Sequence, residues 1–65
     1  MDAITLIETA IKLEHEAHLR YKKGAAEADD AETRTLFEQL AHWEEGHEDM
    51  LKERLATLKM MRGVK

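Results

Sequence analysis

Three residues carry the chemical argument: Glu14, Glu44 and His47. Glu44-Glu45-Gly46-His47 is a Glu-x-x-His arrangement. On a helix, residues three apart share a face, so the carboxylate and the imidazole converge on one point. Di-iron and di-manganese helical bundles are assembled from such parts, one Glu from each of two helices and a Glu-x-x-His from each of the other two. This chain offers one helix of each kind. Two copies would supply four carboxylates and two imidazoles. Oxygen-rich ligation with imidazole suits iron or manganese, and suits copper or structural zinc less well.

The elements that must position these groups follow from apolar spacing. A 3-4 alternation runs Ile4, Ile7, Ile11, Glu14, His18, Tyr21, Ala25, Ala28, and Ala3, Leu6, Ala10, Leu13 and Ala17 widen the stripe. A second seam reads Phe37, Leu40, Glu44, His47, Leu51, Arg54, Leu58, Met61, flanked by Leu36, Trp43, Met50 and Leu55. Stripes this broad suit helices that touch more than one neighbour. Titratable groups interrupt both seams. A carboxylate buried without a partner costs several kcal/mol, so something must compensate for it.

The spacing predicts a helix over about residues 3–28 and another over about 30–61. Asp29-Asp30-Ala31-Glu32 fits a capping box, with Glu32 reaching back over the helix start. Gly24 either ends the first helix or permits a close approach, and Gly63 is a stop for the second. The expected fold is all-α: an antiparallel two-helix hairpin, one domain spanning residues 1–65, that dimerises into a four-helix bundle.

Size and composition agree. With 65 residues and no cysteine, the chain has little core and no disulfide or thiolate metal site. Oligomerisation, or a metal held by nitrogen and oxygen, is the remaining staple. Proline is absent and helix formers dominate. The net charge of −4 argues against nucleic acid as a partner. No apolar run suits a membrane span, and the first residues do not form a signal peptide, so a cytoplasmic protein is expected.

Glu14-His15-Glu16-Ala17-His18-Leu19-Arg20-Tyr21 resembles the first-helix motif of rubrerythrins, a Glu with Ala three on and Tyr seven on. Phe37 to His47, with Ala41 and Glu44-x-x-His47, resembles their second-helix motif. The resemblance covers roughly residues 4–58. It implies a di-iron carboxylate protein of the rubrerythrin and ferritin-like family. Glu14 would be a terminal ligand, Glu44 would bridge both metals, and His47 would be a terminal ligand. Two iron ions would sit in each dimer, with manganese or zinc as substitutes, and Fe(II) would be oxidised by dioxygen or peroxide. Rubrerythrins carry four helices and a cysteine-ligated iron that feeds electrons to the site. Here there are two helices and no cysteine, so peroxide reduction would need an external electron donor. In architecture the chain is more similar to the short two-helix encapsulated ferritins, which complete the site between subunits. The tail that docks such proteins in a capsid is not evident after Leu58.

Other residues have two readings each. His18 could support a ligand or be an interface histidine. Tyr21, two turns from Glu14, could bond a ligand from another helix or pack in the core. Glu48 could line an iron entry path, although a solvated charge fits it better. His15, Glu16, His42 and Glu45 are expected to face solvent, and Trp43, Met50, Met60 and Met61 to pack. Two rival functions stand beside the enzyme: a helical hairpin that docks on another protein, and a structural oligomer without redox chemistry. The expected partner is a second copy, in a dimer or a larger even-numbered assembly.

Overall fold

The computed structural model describes residues 2–63. They form two helices, α1 over Ala3–Glu27 and α2 over Ala31–Gly63, with no strand among them. Each helix starts on an aspartate. Asp2 Oδ1 accepts from the Thr5 backbone N–H at 2.9 Å, and Asp30 Oδ2 accepts from that of Thr33 at 2.9 Å. Both satisfy a donor that the first turn would otherwise leave unpaired. The cap of α2 is therefore Asp30 alone. Glu32 then falls one position short of the place from which it could reach back, and it makes no such bond. Ala28 turns to extended backbone and ends α1, its N–H donating to the Gly24 carbonyl at 2.9 Å. Arg34 ties the turn by donating to the Ala28 carbonyl at 3.2 Å.

The helices are antiparallel, as the cross-pairs Glu8 with Lys59, Glu14 with His47, His18 with Ala41 and Gly24 with Phe37 require. Gly24 lies inside α1, and its role is close approach. A Cβ there would overlap the Phe37 ring, which also meets Tyr21 edge-on with centroids 6.1 Å apart.

On α1 the expected seam faces α2: Ile4, Ile7, Ile11, Glu14, His18, Tyr21 and Ala28 are half-buried and Ala25 is buried. On α2 the seam differs. Phe37, Leu40, Glu44, Leu51 and Leu58 are half-buried as expected, but Ala41, Glu48 and Leu55 complete the stripe. His47, Arg54 and Met61, placed on the seam by spacing, are exposed. Both patterns keep a 3-4 rhythm through Phe37, Glu44, Leu51 and Leu58, and the side on which α1 docks selects one of them.

The pairs Glu8–Lys59 and His15–Glu48 mark one edge of the hairpin, which we call the back. Helical periodicity puts Ala3, Leu6, Ala10, Leu13 and Ala17 of α1 on the opposite edge, the front. Leu36, Leu40, Trp43, His47 and Met50 of α2 share it. Trp43 and Met50 were expected to pack, yet they stand 52% and 64% exposed, and Met60 and Met61 are exposed too. Among the described residues only Ala25, Ala41 and Glu48 are buried. The chain exposes 5084 Å², where a compact monomer of this length would expose roughly 4,200 Å². Among the described residues the apolar core is Ala25 and Ala41 alone. Neither described helix is long and apolar enough to cross a membrane.

Candidate metal centre

Glu14 projects from the middle of α1, and Glu44 and His47 project from one face of α2. Each offers a ligand atom, and these atoms all lie within 4.8 Å of one another. His47 Nδ1 is 3.4 Å from Glu14 Oε2 and 3.8 Å from Glu44 Oε2. The two carboxylates are mostly covered, whereas the imidazole, on the front edge, is 53% exposed.

Glu14 Oε2 is buried and has no hydrogen-bond partner among the described residues. The His47 ring is near it but too poorly aligned to bond. Leaving such an atom unpaired costs roughly 1–3 kcal/mol, and more if it is charged. A divalent cation between Glu14, Glu44 and His47 would remove that cost. The donor set of two carboxylate oxygens and one imidazole fits iron or manganese. Three protein ligands are half of the six that a di-metal bundle site uses.

The other singled-out residues lie elsewhere. Tyr21 packs on Phe37, two turns from Glu14. His18 is half-buried, and its Nδ1–H donates to the Ala41 carbonyl at 2.8 Å, a bond that fixes the tautomer. Glu48, for which a solvated charge fitted best, is 8% exposed and so is the one buried charged residue among those described. Its Oε1 lies 3.2 Å from His15 Nδ1 and 3.3 Å from Lys52 Nζ. Burial pushes its carboxyl up, but the bonds to Lys52 and His15, with their charges, outweigh burial and hold it below its ordinary value. His15 is exposed, as expected, but engaged. The signal for Glu48 was present in the sequence, because it stands seven residues from both Ala41 and Leu55.

A groove of about 460 Å³ lies on the back beside His18, Lys22, Arg34, Glu38 and His42. None of the three converging ligands lines it. The triad is instead open toward the front.

Compared with known proteins, the chain matches the family model described as Rubrerythrin over residues 4–64. No curated protein and no solved structure matches it significantly.

Proposed function

The chain belongs to the rubrerythrin family, and on that premise we propose that it is a di-iron carboxylate protein whose site is completed between two copies. The observation that carries this reading is the buried, unpaired Glu14 oxygen facing Glu44 and His47. Two further facts support it. One chain holds half the usual ligand set, and the front edge beside His47 is an apolar surface without a partner. Contiguous apolar surface of this kind marks an interaction site.

In this reading Glu14 and His47 would be terminal ligands, and Glu44 would be the carboxylate shared by the two metals. Bound iron would supply one-electron redox chemistry, each Fe(II) giving one electron and dioxygen or peroxide accepting them. The carboxylates hold the charge of the pair, and that charge in turn relieves their mutual repulsion. His47 adds a neutral donor from the rim. The front faces of two copies would bury the site and exclude bulk water from it. A bridging carboxylate has two oxygens and can serve one or both metals as their charge changes. Any catalytic turnover with peroxide would need an electron donor from outside this chain, which has no cysteine to hold an electron-feeding iron beside the di-iron site.

The test is iron content and mass of the purified protein, followed by Fe(II) oxidation in air or peroxide. About one iron per chain in an even-numbered assembly is expected. Chelation is expected to lower the melting temperature, because a ligand at 100 times its Kd adds about 2.7 kcal/mol. Glu44→Ala should abolish iron binding. A metal-free assembly that takes up no Fe(II), with a melting curve that chelators do not move, would leave the hairpin as an interaction module.

A further inference from the structure

Besides Glu8 with Lys59, two polar contacts cross between the helices on the back. His18 of α1 donates to the Ala41 carbonyl of α2 at 2.8 Å. One turn earlier on α1, His15 meets Glu48 of α2 at 3.2 Å. Lys52 reaches the same Glu48 oxygen at 3.3 Å, and the His15 and His18 rings stack with centroids 6.4 Å apart. Glu48 occupies a seam position where leucine would be the ordinary residue, between Ala41 and Leu55.

These contacts bracket the metal ligands. Glu14 directly precedes His15. Ala41 lies three residues before Glu44, and Glu48 directly follows His47. The remaining seam consists mainly of Ala, Ile and Leu, which specify helix register poorly. A polar group at a seam position fixes register at a cost in stability. A slip of one residue would carry Glu14 about 1.5 Å along its axis, whereas metal–ligand distances tolerate about 0.2 Å.

Resting on the di-metal reading above, we infer that Glu48 with His15, and His18 with the Ala41 carbonyl, are positioning residues. They hold α1 and α2 in the one register that sets Glu14 opposite Glu44 and His47. The cost is a buried carboxylate, and the return is a preorganised half-site.

Substituting the seam residue separates this role from packing. Glu48→Leu gives the seam its ordinary residue, so the metal-free protein should melt at the same temperature or higher. Its affinity for Co(II), a spectroscopic stand-in for Fe(II), should fall roughly 10–100-fold, as when groups that orient metal ligands are removed. The Co(II) absorption bands should also shift. Glu48→Gln keeps the shape and can still bond Lys52 and His15, so it should bind Co(II) more tightly than the leucine variant. A leucine variant with unchanged Co(II) affinity and spectrum overturns the inference. If the leucine variant does not fold, Glu48→Met, unbranched and apolar, takes its place: weakened Co(II) binding supports positioning, and unchanged binding overturns it. The unaltered protein and Glu44→Ala are the controls. Failure of the unaltered protein to bind Co(II) or Fe(II) overturns the di-metal reading itself. Binding that is lost in Glu44→Ala but intact in both Glu48 variants overturns only the positioning role.

Discussion

On the front of the hairpin, Leu6, Leu13, Leu36, Trp43 and Met50 are all more than half exposed. On the back, Glu8 meets Lys59 and His15 meets Glu48 across the same two helices, and Lys52 joins Glu48 from one turn further along α2. One edge is apolar and unpartnered, and the other is polar and self-paired. The ion pairs with exposed partners on the back contribute little each. The front holds apolar surface worth roughly 1.5–3 kcal/mol per large side chain if covered. The back sets how the two helices of one chain lie, while the front is where burial energy is still to be gained. The candidate metal ligands sit between them, with Glu14 and Glu44 on the shared seam and His47 turned to the front.

The largest effect should come from a charge placed on the front. Trp43→Asp removes a large apolar contact and adds a charge that association would have to desolvate. Self-association should weaken by at least roughly 10–100-fold, from the apolar term alone, and iron content should fall with it. Leu19 is the control. It is 51% exposed but lies off the front, so Leu19→Asp should leave the mass unchanged. Sedimentation of the three proteins decides between the faces. Equal loss of assembly in both variants would mean that the front has no special role.

The difference between the faces was only half visible in the sequence. The α1 seam could be read directly, since from Ile4 to Ala28 a single stripe is available and it faces α2. On α2 two stripes share Phe37, Glu44, Leu51 and Leu58, one adding Leu40, His47, Arg54 and Met61, the other Ala41, Glu48 and Leu55. The first has the larger apolar residues in its upper half, and spacing favoured it. The docking side of α1 is a tertiary choice that the sequence of α2 does not contain. Glu14, Glu44 and His47 were legible because Glu-x-x-His spacing is local and because carboxylates interrupt an apolar rhythm. Glu48 was legible only as a position, seven residues from Ala41 and Leu55, because its partners His15 and Lys52 make sense only once the back edge is defined. The start of α2 was misplaced by one residue because Asp29 and Asp30 are chemically equivalent caps, and only the bond to Thr33 distinguishes them.

Two glycines sharpen the comparison within the helices themselves. Gly24 sits against Phe37, and a methyl group there has no room. Gly24→Ala should destabilise the protein by about 1–3 kcal/mol, the usual range for overpacking, with a matching fall in melting temperature. Gly24→Ala with Phe37→Leu should recover part of the loss. Gly46 lies in the interior of α2 next to His47, and nothing lies within 4 Å of an added Cβ. In the metal-free protein, Gly46→Ala should stabilise by about 0.5–1 kcal/mol through helix propensity alone. Opposite signs are expected from one substitution type. A gain at both sites would mean that the helices lie further apart than the Phe37 contact requires.

The smallest effect concerns the helix ends, which belong to neither face. Asp2 is held below its ordinary value of 3.8 chiefly by the backbone N–H of Thr5. Asp30 is held below the same value chiefly by the backbone N–H of Thr33. A carboxylate whose folded value is depressed stabilises the fold fully above its unfolded value, and the contribution disappears as pH falls through the folded value. The caps should therefore be at full strength above about pH 4 and fade below it. Asparagine caps as well as aspartate but does not titrate. A variant with both Asp2→Asn and Asp30→Asn should match the wild type at pH 6 and lose less melting temperature between pH 5 and pH 2. Glu48, also held low, should account for part of the remaining acid slope, so adding Glu48→Gln should flatten it further. If the wild type and the double asparagine variant show the same slope, acid sensitivity arises along the helix faces and not at the caps.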